Sequence, residues 1–148
     1  MRPGVVPVFQ KAAQDLLERV IPAIGTSYQQ GTAGMIASML AIVSEEWDRA
    51  ASRRIEENQR IRELFRDSAR VVNDAALKRR VLQLAESREQ DFHISSLEKN
   101  NCALRAALIE LHAHVESRSG ADARKVEDEI WNELVKSTER RRLSTAAF

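Results

Sequence analysis

The sequence predicts an all-α fold, an antiparallel helical bundle of about five helices with one unusually long helix at about residues 32–66. The main observation is that residues 35–119, which are 85 in a row, contain neither glycine nor proline, the two strongest helix breakers. In addition, no segment alternates polar and apolar residues between turn residues, so we predict no strands. A chain of 148 residues has the usual size of one domain. We therefore predict a single domain over residues 1–148, with a disordered tail at residues 143–148.

The first two helices are predicted from proline positions and apolar spacing. The first should begin at Pro7, whose fixed φ suits the first helical position, and end near residue 21, before Pro22. A linker at residues 23–31 should lead into the long helix. A one-sided surface helix shows a single apolar stripe, but apolar residues surround much of the first half of this helix. They are Met35, Ile36, Met39, Leu40, Ile42, Val43 and Trp47.

The remaining three helices follow from capping signals and a leucine seam. Asn73 or Asp74 should cap the third helix, which ends near residue 88. Ser95 and Glu98 form a capping-box pattern that predicts the start of the fourth helix, with Asp91 as a competing start. That helix should end near residue 117, before a glycine, and the fifth should span about residues 122–142. The fourth helix carries apolar positions spaced by four and three, a heptad-like seam. They are Leu97, Leu104, Leu108, Leu111 and Val115, with Asn101 as the polar residue on the same seam.

Five polar residues lie on or beside these apolar seams and are the candidate ligand-binding residues. Arg54 and Asn58 occupy core-facing positions of the long helix, and Asn101 lies on the seam of the fourth helix. Glu46 and His112 flank the same seams. A buried polar group without a partner costs about 1–3 kcal/mol, so these residues predict an internal polar cluster. Either the asparagines set the helix register while the stem of Arg54 is buried, or the five residues form a pocket for an anion or a small ligand.

The residues that could perform catalysis or bind metal have the wrong spacing. Each histidine is four residues from a glutamate, whereas di-iron bundles use Glu-x-x-His, with a spacing of three. Cys102 is the single cysteine and lies in a helical apolar pattern, which favours a small buried residue over a nucleophile. The chain contains no Gly-rich phosphate loop, Cys-x-x-Cys, Gly-x-Ser-x-Gly or His-Glu-x-x-His motif. We therefore expect no catalytic residues, no metal and no cofactor.

Charge and hydropathy exclude two classes of partner. The net charge is +1, from 23 basic and 22 acidic residues, whereas nucleic-acid binding needs a surplus of positive charge. The longest apolar run, residues 33–43, is about half of what a membrane-spanning helix requires, and no apolar signal segment follows the N-terminus. We expect a cytoplasmic protein without nucleic-acid or membrane partners. The excess of arginine over lysine, together with many alanines, is typical of a GC-rich bacterial genome.

The apolar surface of the long helix exceeds what its neighbours need, and this favours a function in protein association. We predict a non-enzymatic interaction or accessory protein that acts as a homo-oligomer, most simply a homodimer, or as a subunit bound to an unidentified protein partner. Met35, Met39 and Ile42 are the candidate interface residues. The alternative is a helical bundle that binds a small ligand at the polar cluster, with or without catalysis.

Overall fold

The computed structural model describes residues 4–144 and shows an all-α protein, as the sequence predicts. Within these residues 82% are helical and none lies in a strand. Of the predicted disordered tail at residues 143–148, residues 145–148 lie outside the described residues. The five α-helices are α1 (Val5–Asp15), α2 (Ser27–Ser68), α3 (Ala75–Ala85), α4 (Ile94–Glu116) and α5 (Ala121–Arg141).

The long helix α2 begins five residues before its predicted start, so the predicted linker at residues 23–31 is wrong. It has 42 residues and is about 63 Å long at 1.5 Å per residue. Thr26 begins it, because its hydroxyl oxygen accepts the N–H of Gln29 at 3.4 Å and its carbonyl accepts the N–H of Gln30 at 3.0 Å. Gly31 lies inside the helix, since a glycine there costs only about 1 kcal/mol relative to alanine.

The chain forms two compact units, and α2 contributes to both of them. The first unit contains residues 4–50 and 142–144, and the second contains residues 51–141. The prediction of a single domain stays a prediction.

In the first unit, α1 and the first half of α2 form an antiparallel hairpin. The hydroxyl of Ser44 donates to the carbonyl of Val6 at 3.4 Å, and the side-chain amide of Gln30 donates to the carbonyl of Ile24 at 2.9 Å. Helix α1 starts at Val5, so Pro7 occupies its third position instead of the predicted first, and its missing N–H is equally harmless there. The helix then continues as a π-helical turn, Leu16–Val20, and a 3-10 turn, Ile21–Ala23, that contains the proline.

The second unit has a conventional apolar core formed by the second half of α2 together with α3, α4 and α5. Asp74 caps α3 by accepting the N–H groups of Ala76 and Leu77, both at 2.8 Å, which confirms one of the two predicted caps. All six seam residues of α4 are buried, as predicted. The core residues include Ile61, Phe65, Val72, Val81, Leu104, Leu111, Val115 and Ile130.

The start of α4 differs from the predicted capping box. The helix begins at Ile94, which places Ser95 inside its first turn, where its hydroxyl does not cap the helix. Asp91 organises this end instead, because its carboxylate accepts the backbone N–H of His93 at 2.8 Å and the hydroxyl of Ser96 at 3.0 Å. The loop to α5 ends at Gly120, whose φ of 127° is a conformation that other residues rarely adopt.

Candidate functional site

Asn58 of α2 and Asn101 of α4 form the centre of the predicted polar cluster. The two side chains are 0% and 1% exposed, and the amide of Asn101 donates to the amide oxygen of Asn58 at 2.9 Å. The amide of Asn58 also donates to the Leu97 carbonyl at 3.3 Å. Each asparagine therefore finds a partner on a neighbouring helix, which avoids the cost of an unpaired buried amide.

On one side of this pair, Glu89 joins the cluster from the loop between α3 and α4. Its carboxylate accepts from Asn58 at 3.0 Å and from the Arg62 guanidinium at 2.8 Å, and it also accepts from Asn100. Arg62, whose side chain is 6% exposed, also donates to the hydroxyl of Ser87 at 3.1 Å. Burial raises the pKa of Glu89, but the hydrogen bonds from Arg62 and the two asparagines outweigh burial and lower it overall.

On the other side, Glu57 of α2 lies between two arginines. Its carboxylate, 4% exposed, is 2.9 Å from Arg105 of α4 and 2.9 Å from Arg141 of α5. Arg141 also donates to the side-chain oxygen of Asn101 at 3.5 Å, which links this ion pair to the asparagines. Burial raises the pKa of Glu57, yet the hydrogen bond and charge of Arg141 and the charge of Arg105 lower it overall.

Glu133 of α5 is a second buried carboxylate with a different balance. It pairs with Arg140 and lies 4.0 Å from Arg60, and its side chain is 6% exposed. Here burial outweighs the two arginines, and the nearby charge of Glu57 adds repulsion, so the pKa of Glu133 is raised. The ionised form of this carboxylate is therefore less favourable in the fold than in water.

Of the five predicted ligand-binding residues, only Asn58 and Asn101 bond to each other. Arg54 pairs with Glu98 of α4 instead, and its side chain is 17% exposed. His112 meets the ring of Trp131 edge-on, with centroids 5.1 Å apart, and its Nε2 has no hydrogen-bond partner among the described residues. Glu46 is half-buried in the first unit, whereas the other four belong to the second.

The charged members of the cluster escape prediction from the sequence. Arg54, Asn58 and Arg62 are spaced by four, which is the one signal that could have extended the cluster along α2. Glu89 comes from a loop, and Arg141 comes from the end of the last helix, where basic residues are expected for the helix dipole alone. The resulting network joins α2, α4, α5 and the loop before α4, and its polar atoms are satisfied mainly by one another.

The first unit has the opposite character, because its interior contains only small residues. Among its described residues, those that are buried are Ala13, Ala33, Ala37, Ser44 and Ala50. The large apolar residues are half-buried or exposed. Ten are at least 37% exposed, namely Val5, Val8, Leu17, Val20, Tyr28, Met35, Ile36, Met39, Val43 and Trp47.

Six of these residues belong to α2 and define a surface that we call the α2 stripe: Tyr28, Met35, Ile36, Met39, Val43 and Trp47. By the helix period, Met35, Met39 and Val43 lie on the side of α2 opposite to Ala37 and Ser44, which are buried beside α1. The predicted interface residues Met35 and Met39 are 55% and 54% exposed, and Ile42 is half-buried. Five of the six stripe residues lie within residues 27–44, which contain no charged residue, and the sixth, Trp47, lies between Glu46 and Asp48.

Two grooves lie beside these features. One, of about 530 Å³, runs between α1 and α2 in the first unit and is bordered by Gln10, Gln14 and Asp48. Ser144 lies at its edge, where its backbone N–H and its hydroxyl donate to Glu45 at 3.0 and 2.8 Å. The other, of about 220 Å³, separates α2 from α5 in the second unit and is lined by residues of both charges. These are Arg60, Glu63, Asp67, Glu129, Glu133 and Lys136.

Among residues 4–144, no group of three histidine, cysteine or acidic side chains is arranged to hold a metal ion. None of the helices in this range is both long and apolar enough to cross a membrane.

The function has to be inferred from the fold and the surfaces described above, because comparison with known proteins gives no match. No protein-family model, no curated protein and no solved structure matches this chain.

Proposed function

We propose that this chain is a cytoplasmic, non-enzymatic interaction protein, acting as a homo-oligomer or as a subunit of a larger complex, and that its first unit is the docking element. The observation that supports this proposal is the hairpin with an alanine-lined interior and large apolar residues outside. Alanine contributes little hydrophobic free energy on burial, whereas a large apolar side chain contributes about 1.5–3 kcal/mol. Most of the hydrophobic stabilisation that this hairpin can gain therefore lies on its outer surface.

The area of the α2 stripe fits a protein interface. Six large side chains that are on average somewhat more than half exposed present roughly 350–700 Å² of mostly apolar surface. A standard interface buries about 800 Å² per partner, of which somewhat more than half is apolar. Exposed apolar patches of this size usually mark association sites in soluble proteins.

The charge pattern of α2 favours a protein over a lipid surface as the partner. Helices that lie on membranes carry lysine or arginine on their polar face, which attracts anionic headgroups. Residues 27–44 of α2 carry no lysine or arginine at all. A lipid surface would thus contribute no electrostatic attraction along this segment, whereas an apolar protein surface needs none.

The experiment compares three immobilised proteins: the wild type, Met35→Glu/Met39→Glu, and Ile109→Glu as a control. Ile109 is 70% exposed on α4 and lies outside the first unit. Ile109→Glu therefore replaces an exposed apolar residue by a charged one, as each stripe substitution does, but at a site away from the stripe. We expect the wild type and the control to retain a protein, either a differently tagged copy of this chain or another chain, that the stripe variant loses. Equal retention by all three, with equal helical circular dichroism, would contradict the proposal.

The alternative of a small ligand at the polar cluster draws less support from the geometry. Asn58, Asn101 and the carboxylates around them are bonded to one another, so few polar atoms are left for a ligand. Native mass spectrometry of the purified protein checks this alternative. A stoichiometric small molecule, lost in Asn58→Ala but kept in Met35→Glu/Met39→Glu, would favour ligand binding over docking.

A further inference from the structure

We infer that the partner of the α2 stripe is a second copy of this chain, whose own α2 packs antiparallel across a two-fold axis close to Met39. This inference rests on the proposed docking function and specifies its partner. Two features of the described residues support it: the absence of charge along residues 27–44 of α2 and the distribution of charge beyond them.

The absence of charge makes the stripe compatible with itself. A two-fold axis brings each residue near its own copy or near another residue of the same stripe, so a charged stripe would bury like charges together. Residues 27–44 contain none. A partner that presents charged residues would lose their hydration against this surface without gaining ion pairs, whereas residues 27–44 of a second copy present only apolar and neutral polar groups.

The charge beyond the stripe selects the antiparallel direction. Glu45, Glu46 and Asp48 follow the uncharged segment directly, accompanied by only one basic residue, Arg49. Parallel pairing would place these acidic turns side by side. Antiparallel pairing about Met39 places Glu46, which lies on the same side of α2 as Met39, opposite residue 32 of the other copy, close to the first turns of α2. Those turns carry the positive end of the helix dipole, which stabilises a nearby carboxylate.

The same register brings methionines to the centre of the contact. When residue 39 lies on the axis, residue 35 of one copy lies opposite residue 43 of the other. Methionine side chains at positions 35 and 39 adapt readily to such a contact.

The inference is tested with single cysteines in a Cys102→Ser background, since Cys102 is exposed and would otherwise react. Disulfides require Cα atoms within about 7 Å. Under mild oxidation Met39→Cys should therefore link to its own copy. Met35→Cys should not, because the two copies of residue 35 lie about 12 Å apart along the helix axis in this register. A mixture of Met35→Cys and Val43→Cys should link as a heterodimer. Ile109→Cys, exposed on α4, measures random collision.

Sedimentation of the same proteins completes the test. We expect wild type at high micromolar concentration to have twice the chain mass of 16.7 kDa, and folded Met35→Glu/Met39→Glu to have the mass of one chain. A monomeric wild type overturns the inference. It is also overturned if Met39→Cys links no faster than Ile109→Cys. Efficient self-linkage of Met35→Cys would overturn it too, because that result would indicate parallel pairing. If wild type is monomeric but still retains a different protein through the stripe, the proposal that the partner is a second copy is wrong, and the proposed docking function stands.

Discussion

Glu57 and Glu133 are both buried beside arginines, yet their environments shift the carboxyl pKa in opposite directions. Burial raises the pKa of Glu57, but the two guanidiniums outweigh it and leave the pKa lowered, whereas burial dominates at Glu133 and raises its pKa. At pH 7 we expect Glu57→Gln to reduce the free energy of unfolding by about 2–4 kcal/mol, because it leaves two arginines without their carboxylate. Glu133→Gln removes an unfavourable charge and should change it by less than about 1 kcal/mol. Urea unfolding measures both.

The pH dependence separates these two residues further. The stabilisation from Glu57 is present above the ordinary glutamate pKa of 4.5 and is lost as pH falls through the lower pKa of the folded state. The difference between wild type and Glu57→Gln should therefore shrink below pH 4.5. At Glu133 the cost of ionisation is present above the raised folded pKa and disappears as pH falls through it. A constant difference for Glu57→Gln between pH 7 and pH 3 would contradict the assignment.

The Asn58–Asn101 pair should show strong energetic coupling. Replacing either residue by leucine leaves the other amide buried without its partner, so each single variant should lose about 1–3 kcal/mol. The double variant should lose less than the sum of the two single losses, with a coupling of about 0.5–3 kcal/mol. Additive losses would mean that the hydrogen bond at 2.9 Å does not hold these helices in register. Spacing along the sequence could predict these two asparagines as core-facing, but not the carboxylates around them, because folding of the α3–α4 loop brings Glu89 to Asn58.

At the scale of single elements, two glycines with different backbone conformations give a matched test. Gly34 is helical, and a methyl group there would lie 3.9 Å from Cδ1 of Ile21, an ordinary van der Waals contact. Gly34→Ala should therefore stabilise the first unit by about 0.5–1 kcal/mol. Gly120→Ala should destabilise the second unit by about 1–2 kcal/mol, because its φ of 127° is strained for any other residue. Thermal unfolding followed by circular dichroism compares them. Equal shifts would contradict this difference.

The helix boundaries show where sequence reasoning is weak. The existence of all five helices follows from apolar spacing, and the cap of α3 follows from Asp74. The start of α2 could not be predicted in this way, because Thr26 accepts the N–H groups of Gln29 and Gln30 and the penalty of Gly31 inside the helix is only about 1 kcal/mol. The start of α4 could not be predicted either, because Asp91, three residues before the helix, accepts the N–H of His93 and the hydroxyl of Ser96 in competition with the capping box.

At the scale of the whole molecule, the two units should differ in how their stability depends on concentration. The second unit buries large side chains such as Phe65 and Leu111, whereas the first buries mainly alanine. Association that covers the α2 stripe stabilises the first unit by mass action. Amide hydrogen exchange in α1 and residues 27–50 should therefore slow as protein concentration rises, while exchange in α3 and α4 should not change. Concentration-independent exchange in both units would contradict the proposed role of the first unit.

The all-α class of the molecule could be predicted because it depends on composition along residues 35–119, which is a local property. The difference in burial of large apolar side chains between the two units could not be predicted. The sequence shows the same apolar residue types in both halves of the chain, and only the structure shows which of them are covered. Met35 and Met39 were predicted at an interface from their angular spread around α2, and their exposure of more than half of each side chain supports that choice without testing it.

The position of the two tryptophans gives the protein a built-in optical reporter for each unit. The chain has only two, Trp47 in the first unit and Trp131 in the second. Trp47 is 62% exposed on the α2 stripe, so its emission reports the polarity of whatever covers that surface. Trp131 is fixed edge-on against the imidazole of His112 and reports the packing of α5 on α4. Replacing one indole by phenylalanine leaves a chain whose fluorescence follows the other unit alone, without any attached dye.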